Sequence, residues 1–147
     1  MLHIVLYQPE IPHNTGAVGR LCLATGARLH LIKPLGFSLE DKYLKRSGLD
    51  YWPEVDVHVW ESWEAMHAQA EAAAQFFYVE VQGTRPHWEA DFTPAKDVYL
   101  VFGPETRGIP PELMQTQPER VLRIPMLGTR SLNLATAVAI SLYEAVR

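Results

Sequence analysis

The stretch that limits the fold most is the last one, Leu122 to Arg147, LRIPMLGTRSLNLATAVAISLYEAVR. It reads as a short buried strand over Leu122–Pro125, a tight loop over Met126–Ser131, and a helix running on from there. Ala135, Val138, Ala139, Leu142 and Val146 recur at helical spacing and form one apolar face. The opposite face, Thr136, Ala137, Ile140 and Ser141, is hardly more polar. A helix that is apolar nearly all round is buried on more than one side. This one is too short to span a bilayer and carries Glu144. It has to pack on its own sheet and on a second surface, for which another copy of the chain is a natural candidate. The polar loop ahead of it, Gly128-Thr129-Arg130-Ser131, joins a strand's carboxyl end to a helix start. Open α/β sheets bind ligands at such places.

The rest of the chain supplies the sheet. Leu2–Tyr7 is a β-rich first strand, Asn14–Arg20 opens a helix with Asn14 or Thr15 as its cap, Gly26 stops it, and Leu29–Ile32 is the next strand. Strand, helix and strand within about thirty residues make a βαβ unit and a parallel pair. Free N–H groups at Asn14–Gly16, with Arg20 about a turn further on, suit either a bound anion or a plain capped helix with a surface arginine. Ser38–Ser47 reads as a short helix capped by Ser38 and ended by Gly48. Lys42, Lys45 and Arg46 share one of its faces near Tyr51 and Trp52, which suits an RNA backbone with a stacked base as well as it suits a solvated face.

Further on, Val55–Trp60 alternates like a strand, Ser62–Gln75 is an Ala-rich helix capped by Ser62, and Phe76–Val81 is a strand before the loop Gln82–Pro86. Asp97–Phe102 is the nearly continuous apolar run of a strand buried on both faces. It ends in the loop Gly103–Pro110, where Gly103 permits close approach of a ligand, and Glu105 can order the loop or bind a ligand hydroxyl. Pro110 or Pro111 starts a short helix, and Val121–Pro125 returns to the last strand. Trp60, Trp63 and Trp88 read as core or interface residues. Six strands alternating with helices predict an α/β domain, a mainly parallel six-stranded sheet with helices on both faces.

Composition narrows the functions. The 147 residues fit a single domain, 1–147, and 48% hydrophobic residues allow a real core. A net charge of −4 argues against binding nucleic acid by bulk charge, though not against a local basic patch. Cys22 stands alone and can make no internal disulfide, and MLHIVLYQPE has neither the flanks nor the length of a secretory or membrane segment. The expectation is a cytoplasmic protein with no membrane association. There is no G-x-G-x-x-G and no phosphate-binding P-loop, and the six histidines and Cys22 show no metal-ligand spacing.

Three loops at strand ends carry the unusual residues: N-T-G-x-x-x-R at Asn14–Arg20, F-G-P-E-T-x-G at Phe102–Gly108, and I-P-M with S-x-N-L at Ile124–Met126 and Ser131–Leu134. In order and spacing they resemble the SPOUT superfamily of RNA methyltransferases. The resemblance covers essentially the whole chain, including Arg46-Ser47-Gly48-Leu49-Asp50-Tyr51. It is nearest to the short branch, without an added RNA-binding domain, that methylates the wobble ribose of tRNA (cytidine or uridine 34). The resemblance implies a carboxyl-terminal deep trefoil knot that holds S-adenosyl-L-methionine, and a homodimer in which both chains build each site. It places cofactor contacts at Val79, Gly103, Ile124, Ser131 and Leu132, and tRNA contacts at Asn14, Arg46, Arg130 and Tyr143. Glu105 and Asn133 would order the loops, Arg20 would assist the 2′-OH, and no metal would be needed. Arginine keeps its proton at neutral pH, so Arg20 is expected as a clamp on a substrate phosphate rather than as a base. Two alternatives stand beside this one: the same fold acting on another RNA, and a non-catalytic RNA-binding knot protein.

Overall fold

Strand β1 (Leu2–Tyr7) shows why this chain needs two cores. Its apolar run from Ile4 to Leu6 sends Ile4 and Leu6 into one and Val5 into the other. The computed structural model describes residues 1–47, 49–93, 96–129 and 131–147, and for 45, 47, 49 and 50 the backbone only. The remaining strands are β2 (Arg28–Ile32), β3 (Val57–Trp60), β4 (Gln75–Val79), β5 (Arg85–Pro86), β6 (Val98–Phe102) and β7 (Val121–Arg123). They form one sheet in the order β3-β2-β1-β6-β4-β7-β5, and every pairing is parallel.

Helices α1 (Pro12–Thr25) and α5 (Leu134–Val146) close one face through Val18, Cys22, Val138 and Leu142. Helices α3 (Trp63–Gln69) and α4 (Pro111–Met114) close the other with Met66 and Met114. The short α2 (Lys42–Ser47) packs beside α1. The expected parallel α/β sheet with helices on both faces is the one observed. Among the described residues no helix is long and apolar enough to cross a membrane.

Several boundaries differ from the sequence reading, each for a local reason. Among the described residues the sheet has seven strands rather than six, because Arg85–Pro86, read as loop, pairs with Leu122–Arg123. Helix α1 begins at Pro12, with Ile11 as cap, so Asn14 and Thr15 lie inside it and are buried. Proline suits a first helical position because it has no N–H to leave unsatisfied. Helix α2 starts at Lys42, and Asp41, not Ser38, caps it by accepting the Tyr43 N–H at 2.7 Å. Ser62 caps α3 as expected, accepting from the Ala65 N–H, but the helix stops at Gln69. The chain must turn there to enter β4, whose Gln75 N–H bonds the Asp97 carbonyl. Gly26 ends α1 at φ 76°, a left-handed turn that glycine adopts without strain. Gly48 lies outside the described residues.

Cys22 faces the core with no exposed surface, and burial pushes its thiol up to about 12. The native protein should therefore resist iodoacetamide at pH 8 and label fully only when unfolded in urea, as mass spectrometry can check.

A polar chain crosses the opposite core. The Trp60 Nε1–H donates to His30 Nδ1 at 3.0 Å. An indole nitrogen only donates, so His30 carries its proton on Nε2, which meets His3 Nδ1 at 2.9 Å. His3 Nε2–H then reaches Asp97 at 3.1 Å. Both histidines are buried, and Tyr99 stacks on His3 with ring centroids 4.0 Å apart. Every ring nitrogen in this chain has one permitted role, which holds the first three strands in register.

Candidate functional site

Parallel pairing of β1 with β6 sets Leu6 opposite Phe102, so the loops that follow them leave the sheet side by side. Two carboxylates lock them together reciprocally. Glu105 accepts the Glu10 N–H at 2.8 Å and the Ile11 N–H at 3.0 Å. Glu10 in turn accepts the Thr106 N–H and hydroxyl, both at 2.8 Å, and these bonds hold its carboxyl below the usual carboxylate range. Arg107 adds a bond from Nη2 to Gln8 Oε1 at 3.1 Å, with Gln8 in the left-handed region at φ 48°. The entrance of α1, which in the sequence suits a bound anion or a plain capped helix, faces the protein's own Glu105.

The third loop joins through amides. Asn14 donates from Nδ2 to Glu105 Oε2 at 3.3 Å and accepts the Asn133 Nδ2–H on Oδ1 at 3.0 Å. Asn133 caps α5 with its other end, accepting from the Ala135 and Thr136 N–H groups at 2.9 and 3.3 Å. One side-chain path thus runs from the 103–109 loop through α1 to the start of α5. Glu105 and Asn133, expected to order the loops, bond across them, and Asn14, expected toward RNA, has both ends of its amide engaged within the protein.

These loops wall a cavity of about 570 Å³, within the range of small-molecule sites. Val79, Gly103, Ile124, Ser131 and Leu132 all line it. Phe102, Ile109 and Leu134 add apolar surface. At Gly103 a Cβ would stand 2.3 Å from the Gly108 carbonyl carbon and the Ile109 nitrogen. The missing side chain makes room for the loop's own backbone. Glu80 is a wall residue that sequence reading passed over. Its carboxylate accepts the Ile109 N–H, and also the Val81 N–H at 3.2 Å, so it ties the loop after β4 to the loop after β6. Nothing marks Glu80 or Glu10 in the sequence beyond nearness to the motifs, whereas Thr106 is part of the F-G-P-E-T-x-G motif.

The other expected residues lie elsewhere. Arg20 is exposed and does not line the cavity; it borders a groove of about 530 Å³ between Ala17, Leu21 and Ala24 of α1 and Ala135, Ala139 and Ile140 of α5. Arg46 is exposed on α2, with its guanidinium 5.8 Å from the Tyr43 ring centre. Tyr143 is 49% exposed on α5. Arg130 and the side chain of Lys45 lie outside the described residues. Among those described, no group of three His, Cys, Asp or Glu residues is placed to hold a metal ion. Trp60 and Trp63 pack against a core as expected, whereas Trp88 is 53% exposed.

Comparison with known proteins gives a consistent result. Residues 1–143 match the SpoU rRNA methylase family. A tRNA (cytidine(34)-2′-O)-methyltransferase of Methylovorus glucosotrophus is 54% identical over all of this chain and 95% of its own. One from Aeromonas hydrophila is 51% identical over all of this chain and 94% of its own. A solved structure described as giving insight into the 2-OH methylation of C/U34 on tRNA superposes with a TM-score of 0.92, at 49% identity, covering 99% of this chain and 93% of that one. The SpoU methyltransferase AviRb of Streptomyces viridochromogenes, solved with AdoMet, superposes with a TM-score of 0.83, at 26% identity, over 99% of this chain and 59% of that one.

Proposed function

This chain belongs to the SpoU rRNA methylase family, and on that premise we propose that it methylates the ribose 2′-OH of the wobble nucleotide, cytidine or uridine 34, of tRNA. The observation that carries the reading is the joining of all three motif loops, by Glu105, Asn14 and Asn133, around one cavity. Relatives named for the same reaction share about half their residues with this chain along its whole length.

The cavity suits S-adenosyl-L-methionine. Val79, Ile124 and Leu132 offer an apolar slot for an adenine, and the loop backbones offer donors and acceptors beside it. When bound, that molecule supplies an electrophilic methyl group on a sulfonium. The chain supplies the binding and orientation of both reactants. Arg20 holds a substrate phosphate and places its charge near the oxygen that attacks, favouring the developing negative charge there. Packed loops fix the reactants and exclude water, which is where positioning gains most of its rate. The reading includes no metal ion.

Arg20 stands apart from the cavity of its own chain, which favours a homodimer in which Arg20 of one copy serves the cavity of the other. The small-residue groove between α1 and α5 is the surface a second copy would cover. Arg46, Arg130 and Tyr143 would contact the tRNA. The knot of the family is supported by the close passage of β7: a Cβ on Gly83 would stand 2.5 Å from the Leu122 carbonyl carbon, and β7 lies between β4 and β5. The chain acts as one domain in the cytoplasm, where its substrate is.

Incubating the protein with S-adenosyl-L-methionine and tRNA lacking wobble methylation, then mapping the product by mass spectrometry, tests the reading. A methyl on ribose 34 is expected; no ribose methylation on any tRNA would overturn it. In the same assay Arg20→Ala should lower the single-turnover rate on the order of 10²-fold. Calorimetry should find its affinity for the methyl donor unchanged, because in this reading Arg20 grips the substrate phosphate and not the donor.

A further inference from the structure

The guanidinium carbon of Arg20 lies 5.8 Å from the centre of the Tyr51 ring, within cation–π range. The fold builds this contact. The residue before Arg20 is Gly19, where a Cβ would stand 2.6 Å from Cζ3 of Trp52. Glycine at that position lets the Trp52 indole lie directly on α1, with Val55 beside it. Trp52 also packs against the core that Val18 and Cys22 enter. Tyr51 precedes Trp52 in the same tight turn, Leu49–Glu54, which Pro53 stiffens. The Gly19–Trp52 contact therefore fixes the next pair along, Arg20 and Tyr51. Both members of that pair are exposed, Tyr51 at 42%, so burial does not account for the contact.

We propose that Tyr51 is a positioning residue for methyl transfer: its ring face holds the Arg20 guanidinium in one orientation before the substrate arrives. A guanidinium lying on a ring keeps its in-plane N–H groups free to grip a phosphate. An unsupported arginine must instead order its long side chain when the phosphate binds, and that ordering costs rate. The inference rests on the role of Arg20 proposed above.

Single-turnover methylation at saturating tRNA tests it. Tyr51→Leu should lower the rate roughly three- to ten-fold, with donor affinity and thermal midpoint unchanged. Tyr51→Phe keeps the ring face and should recover the rate. Adding Tyr51→Leu to Arg20→Ala should bring no further loss. A rate that Tyr51→Leu leaves intact or raises, a Phe variant as slow as the Leu variant, or an equal loss in the Arg20→Ala background would each overturn the proposal. If Tyr51→Leu lowers the thermal midpoint, the Phe rescue and the Arg20→Ala background still decide. A full rate for Arg20→Ala alone would instead overturn the role of Arg20.

Discussion

Glu105→Ala should lower stability by about 3 kcal/mol and reduce methyl transfer to background. The Glu105 carboxylate accepts the Glu10 and Ile11 N–H groups and the Asn14 amide, so its loss leaves three donors without their acceptor at once. Hydrogen bonds to a charged group contribute more than neutral ones, and part-buried donors left unpaired add a desolvation cost. Asn14 would then lose its hold between Glu105 and Asn133, and the start of α5 would loosen with it. Glu105→Gln should recover about half of the stability. Its oxygen can still accept, but its amide nitrogen must face a donor. Urea melts of the three proteins read the stability, and calorimetric titration with the methyl donor reads the cavity. An alanine variant as stable as the parent would mean that the loops are held by other contacts.

Acidification should destabilise the protein through His30. Burial pushes this histidine down to about 3, and the charges of His3, His58 and Arg28 act in the same direction, against Asp56. Burial also lowers His3, with Asp97 opposing. In the unfolded chain a histidine titrates near 6.5. Below that pH the unfolded state takes up a proton that folded His30 refuses, because Trp60 already donates to its Nδ1. Stability is therefore fully present above pH 6.5 and is lost as the pH falls toward 3. The loss from His30 should reach about 2 kcal/mol at pH 5. Urea melts between pH 7 and pH 4.5, on the parent and on His30→Gln, measure it. The parent should show a slope steeper by about one proton, and equal slopes would rule out His30 as the cause.

Local pattern made some elements legible in the sequence and not others. The apolar runs of β6 and, apart from His3, of β1 identify themselves, because strands buried on both faces have no polar side. Gly26 and Ser62 likewise show in the sequence, since each acts on its own helix end. The start of α1 did not, because the group that satisfies its entrance, Glu105, lies more than ninety residues away. Separation along the chain also hides Glu10, 96 residues from Thr106, and Glu80, 29 residues from Ile109; both look like ordinary loop carboxylates until the sheet brings those partners to them. His3, His30 and His58 have no telling spacing, because they come from three neighbouring strands. Motif resemblance brought together residues that line one cavity where periodicity could not, since a cavity walled by loops leaves no period behind.

The central place of β1 also bears on how the chain is made. One of its edges is satisfied by β2 soon after synthesis begins, but the other waits for β6, whose residues emerge some ninety positions later. Until then the growing chain offers an open apolar strand edge to whatever is near it. Ribosome-stalled chains ending before Val98 should therefore recruit holdases, and those extended well beyond Phe102 should release them.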